Sequence, residues 1–97
     1  MTIAEFEAAG SDALEGPLLA LWWDGHGDWE RAHEVAQDVA EADGAWVHAY
    51  LHRKEGDAGN AAYWYRQAGR RVGSGDLRAE WEAMVMELLG RTGAARR

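Results

Sequence analysis

Two stretches decide the fold: Ala20-Leu21-Trp22-Trp23-Asp24-Gly25-His26-Gly27-Asp28-Trp29-Glu30-Arg31-Ala32, and Ala49-Tyr50-Leu51-His52-Arg53-Lys54-Glu55-Gly56-Asp57-Ala58-Gly59-Asn60-Ala61. Each runs from a small residue to a Gly-Asp pair and on to a second small residue. Gly27 and Gly56 are 29 residues apart. Glycine takes the backbone through a sharp turn, and aspartate caps the helix that follows. The alanines let two helices approach closely, so the pattern predicts two tight antiparallel helix pairs. A period of this length belongs to stacked helical hairpins.

Working outward, glycine and proline divide the rest of the chain into short helices. Thr2 and Glu5 have the spacing of a capping box, opening a helix that ends by Gly10. Pro17 suits the first turn of a second helix, reaching Asp24. Asp28 caps a third, with the stripe Trp29, Ala32, His33, Ala36, Val39 and Ala40, and Gly44 is expected to end it. A fourth runs from Ala45 to Glu55. Asp57 opens a fifth, with Ala61, Tyr65, Ala68 and Val72 on one side. After the loop Gly73-Ser74-Gly75, Asp76 caps a last helix carrying Leu77, Trp81, Met84, Val85 and Leu88. No segment alternates apolar and polar residues for long enough to predict a strand. The second helix is apolar all round and the fourth nearly so, which predicts packing on more than one side.

Residues 18–69 resemble two tetratricopeptide or Sel1-like repeats. Ala20 with Ala32 and Ala49 with Ala61 match the facing small residues. Leu19 and Trp23 flank Ala20 as the family pattern expects, and Tyr65 and Ala68 match later positions. Tyr63-Trp64-Tyr65-Arg66-Gln67-Ala68 is similar to the Trp-Tyr-x-x-Ala signature of Sel1 repeats. The departures are a period of 29, shorter than the usual figure of about 34, no terminating proline, and His48 and His52 where apolar or aromatic residues are usual. The resemblance implies a stack of helix pairs whose first helices line a ligand groove.

The expectation is therefore one all-α domain over residues 1–97, with five to six short helices. The tetratricopeptide-like pairs fall at about 17–42 and 45–72, a C-terminal capping helix at about 76–90, and a flexible tail at 91–97. The chain has no cysteine, so disulfides and thiolate chemistry are excluded. The N-terminus lacks the basic start and apolar run of a signal peptide, and Leu18–Trp23 is too short to cross a bilayer. A cytoplasmic location is expected, with no membrane partner. Net charge is −7, and it is unevenly placed: −10 over residues 1–60 and +3 over 61–97. Such an acidic field repels phosphate backbones, so a nucleic-acid partner is not expected.

Three constellations could carry function. His48 and His52 lie four apart on one helix and leave the same face, spacing that suits a divalent metal. His33 is a third nitrogen candidate, and Glu55 and Asp24 are oxygen candidates. The same histidines also fit a structural role, hydrogen-bonded between helices, and that role is the expectation. The metalloprotease pattern is absent, since His33-Glu34 is followed by Gln37 rather than a second histidine. On the other side of the fourth helix stand Trp46, Tyr50 and Arg53, the side that lines the groove in the resemblance. Aromatics with an arginine suit a peptide or a carboxylate, though the stripe also fits ordinary core. Tyr63, Arg66 and Arg70 form an outward strip on the fifth helix, suited to an acidic partner or to a second copy in a homodimer.

The sequence reading is thus a small non-catalytic module that binds a peptide or partner helix through Trp46, Tyr50, Arg53, Tyr63 and Arg66, with no cofactor. The alternative is a metal- or small-ligand-binding protein, with enzymatic activity open, in which His33, His48 and His52 hold a divalent transition metal such as zinc.

Overall fold

The duplicated Gly-Asp pattern folds as two copies of the same turn. In a computed structural model describing the backbone of residues 1–95 and the side chains of 1–91, Gly27 and Gly56 adopt left-handed φ values of 86° and 92°. The amides of Asp28 and Asp57 donate back to the carbonyls of Trp23 and His52, both at 2.9 Å. The Asp28 side chain then accepts from the Arg31 amide, and the Asp57 side chain from the Asn60 amide. Each turn closes one helix and caps the next, so sequence, hydrogen bonding and chain reversal are linked at two named dipeptides.

The helices are α1 (Ile3–Ala8), α2 (Gly16–Gly25), α3 (Trp29–Gln37), α4 (Ala42–Glu55), α5 (Ala58–Ala68) and α6 (Leu77–Ala95), with a 3-10 turn at Ser11–Ala13 between α1 and α2. No strand occurs among the described residues. The capping box predicted at Thr2 and Glu5 is present. α2 packs on α3, α4 on α5, and α3 on α4. Ala20, Ala32, Ala49 and Ala61 are all buried at these contacts, where a larger side chain would push the helices apart.

Four boundaries differ from the sequence reading. α5 ends at Ala68, so Val72, expected on its apolar side, lies in the following loop and is exposed. α3 stops at Gln37, so Val39 and Ala40 lie in the link to α4. Gly44 does not end a helix; it sits in the first turn of α4, where a Cβ would collide with the Val39 carbonyl and side chain. Glycine is there for close approach, a need that is indistinguishable from a stop signal in sequence. Finally α6 runs to Ala95, through part of the expected tail. Gly90 keeps helical backbone instead of the left-handed conformation of a terminus. Arg96 and Arg97 of that tail lie outside the described residues.

α6 does not extend the row of pairs beyond α5. It packs on α2 and α1. Trp81 is the pivot: its indole N–H donates to the Leu21 carbonyl at 2.9 Å, and its ring lies 5.9 Å from that of Phe6 and directly against Gly25. One core joins the helices through Phe6, Leu21, Val47, Leu51, Tyr65, Trp81, Met84 and Val85. No helix among the described residues is long and apolar enough to cross a membrane.

Candidate metal centre

α3 and α4 run antiparallel, and each carries a column of rings on the face it turns to the other. On α3 these are Trp29 and His33; on α4 they are His48 and His52, each pair spaced i, i+4 so that both rings leave the same face. The columns meet in opposite order, Trp29 beside His52 and His33 beside His48, with ring centroids 6.1 and 4.5 Å apart. The His33–His52 and His48–His52 centroids are 5.2 and 4.8 Å apart. Three of the four histidines therefore converge, 19 residues apart along the chain at their extremes.

One ring nitrogen from each of His33, His48 and His52 lies within 4.8 Å of the other two. His33 Nε2 and His48 Nε2 are 2.8 Å apart, close enough to share a proton. Tetrahedral coordination at about 2.0–2.1 Å per bond separates ligand nitrogens by about 3.3 Å. The His33 and His48 nitrogens would have to part slightly to reach that spacing, and no pair of the three starts more than 4.8 Å apart. His52 adds a specific feature: its Nδ1 is 2.6 Å from Glu55 Oε1. A carboxylate there holds the proton on Nδ1 and leaves the Nε2 lone pair free, as in carboxylate–histidine–metal triads.

The environment disfavours the charged form of two of the imidazoles. Burial lowers the His33 pKa, with His52 adding to the effect, while Glu55 and Glu34 oppose it. For His48, burial first and then the neighbouring His33 and His52 push the pKa down to about 4. Two indoles enclose the group. Trp29 stacks on His33 at 5.0 Å and 9°, and Trp64 on His48 at 4.1 Å and 13°. Trp29 is anchored through its N–H to the Leu51 carbonyl at 2.9 Å.

The low His48 pKa has a measurable consequence for the metal-free protein. The unfolded chain takes up a proton at this imidazole near pH 6.5, and the folded chain resists until about pH 4. Protons therefore favour unfolding in that window. The stability contribution is complete above pH 6.5 and is lost as pH falls toward 4, by roughly 2–3 kcal/mol. Urea midpoints measured from pH 7.5 to 4 should fall less steeply for His48→Gln than for the native chain.

The remaining sequence candidates lie elsewhere. Trp46 and Tyr50 are 8% and 2% exposed and belong to the core. Arg70 lies over the Trp46 ring at 3.5 Å and pairs with Glu87 of α6. Tyr50 bonds to Asp24, which is itself buried and paired with Lys54 at 2.9 Å, so Asp24 is engaged away from the histidines. Arg53 pairs with Glu80 of α6 at 2.6 Å and donates to the Gly75 carbonyl. The side of α4 expected to line a groove is filled by the chain's own α2, α6 and α5–α6 loop. Tyr63 and Arg66 stay exposed on α5, while Arg70 is drawn off that strip by Trp46 and Glu87. His26 stacks on Trp22 and stands outside the cluster.

Sequence reasoning missed the roles of Trp29, Trp64 and the Nδ1 contact of Glu55. The i, i+4 pair Trp29–His33 and the i, i+3 pair His52–Glu55 were visible signals for two of these. No family model, curated protein or solved structure matches the chain.

Proposed function

We propose that this chain is a metal-binding protein, holding one divalent transition ion, zinc by ligand type, through His33, His48 and His52. The observation that carries the reading is convergence of three imidazoles, one of them oriented by Glu55 through one of its ring nitrogens. Imidazole ligands suit zinc, copper, nickel and iron, and a site without thiolate or charged first ligands favours ions of borderline softness. Because the ligands come from two helices, binding would tie α3 to α4 and couple metal affinity to folding.

Thermal unfolding of chelator-treated protein tests this. At free zinc of about 100 times the dissociation constant, the native chain should gain about 2.7 kcal/mol. That corresponds to a rise in Tm on the order of 10–20 °C for a domain of this size. His48→Ala and His33→Ala should each lose most of the gain, measured as the difference with and without zinc within each variant. That comparison cancels whatever the substitution itself costs. An unchanged Tm in the native chain removes the reading.

A second reading, a partner-binding surface, is favoured by one observation: Tyr63 is 46% exposed on α5 alongside the exposed Arg66. A peptide or a second copy would meet the protein there, on the outer face of the α4–α5 pair.

A further inference from the structure

We infer that the ion held by the three histidines keeps one coordination position open to an outside ligand, and that this position selects a neutral nitrogen donor, such as an imidazole or a primary amine, over an anion. The inference rests on the metal-binding reading above and specifies what that site would do.

Among the described residues, His33, His48 and His52 supply mutually convergent ligand atoms, while the carboxylates of Glu55 and Asp57 converge with a ring nitrogen of His52 as a separate group. Glu55 is the nearest carboxylate to His52, but it is held on Nδ1 at 2.6 Å. The two nitrogens of an imidazole point their lone pairs in diverging directions, so a carboxylate on Nδ1 stands away from an ion on Nε2. Three nitrogen ligands and no fourth from the chain is the ligand set of zinc centres that retain an exchangeable water, whereas closed structural sites use four side chains.

A cleft borders the cluster through His33, the one of the three histidines that lines it, and that is the side from which an outside ligand would approach. It measures about 530 Å³ and is lined by Trp29, Glu30, His33, Glu34 and Glu55. His33 forms part of its wall, so an ion on His33 is reached from it. His48 also borders a smaller pocket, but Trp64 lies flat on the His48 ring on that side. Of the five lining residues three are carboxylates, and no lysine or arginine is among them. Their summed charge exceeds that of the ion. An incoming anion is repelled, while a neutral donor is drawn only by the metal.

Cobalt(II) reports both steps because its visible ligand-field bands respond to coordination number and donor type. The native chain is loaded with one equivalent of Co²⁺ and titrated separately with imidazole and with azide. Imidazole should change the bands saturably, and azide should bind about tenfold more weakly. In Glu30→Gln/Glu34→Gln that preference should shrink several-fold; Co²⁺, drawn by the same carboxylates, should bind more weakly, so each donor is titrated against variant loaded to saturation. Bands unchanged by either donor, in protein that does hold Co²⁺, would overturn the inference and leave the metal reading standing. Azide binding as tightly as imidazole would overturn the stated ligand class. Failure to acquire a bound-Co²⁺ spectrum at all would overturn the underlying reading, and that is seen before any donor is added.

Discussion

Trp81→Ala should be the most damaging single substitution in this chain, costing about 4 kcal/mol. Trp81 is 2% exposed and does three things at once. It fills the space between α6, α2 and α1, its N–H satisfies the Leu21 carbonyl, and its ring occupies the surface that Gly25 leaves bare. Truncation opens a cavity among elements that are rigid helices and cannot easily collapse into it. It also removes the indole donor from the Leu21 carbonyl, a smaller addition to the cost because that carbonyl lies within α2. Total stability for a domain this size is roughly 5–15 kcal/mol, so the variant loses a large share of it. Urea unfolding should show a much lower midpoint, and the more conservative Trp81→Phe should recover most of the packing but not the Leu21 hydrogen bond.

Glu80→Ala should follow, at about 3 kcal/mol. Glu80 receives two short bonds, from Arg53 at 2.6 Å and from the Tyr65 hydroxyl at 2.5 Å. The side chains of Arg53 and Glu80 are 18% and 13% exposed, so removing the carboxylate strands a charge with little water to take over. The Tyr65 hydroxyl loses its acceptor in the same step. Burial first, and then Glu80, hold this phenol in its protonated, donating form. Glu80→Gln keeps an acceptor for Tyr65 and lacks the charge for Arg53, and it should cost about half as much. Chemical denaturation of the two variants and of Arg53→Met/Glu80→Gln separates the charge from the hydrogen bond. If the double variant is more stable than either single one, the network is held by mutual need and not by net attraction.

The legible part of the fold was what short-range chemistry dictates. Gly27-Asp28 and Gly56-Asp57 specify their turns because only a few residues tolerate that backbone and only a few side chains can cap. Ala20, Ala32, Ala49 and Ala61 specify close helix contacts for a similarly local reason. The return of α6 onto α1 and α2 was not legible, since an amphipathic terminal helix has the same pattern whichever end of a stack it covers. For the same reason Trp46 and Tyr50 read both as a groove lining and as ordinary core. His48 and His52 were visible as a pair from spacing alone. Whether His33 joined them depended on the register between α3 and α4, which is set by the tight link through Val39 and Gly44 and has no simple sequence mark.

The central claim is that three histidines on two helices act together as one metal site. Zinc-edge X-ray absorption on native protein desalted after loading with one equivalent of zinc tests it most directly. The account predicts that zinc stays with the protein and shows a first shell at about 2.0 Å dominated by nitrogen, with the outer-shell scattering of three imidazoles. Zinc lost on desalting, or a shell of oxygens without the imidazole pattern, would contradict it and return the histidines to a structural role between α3 and α4.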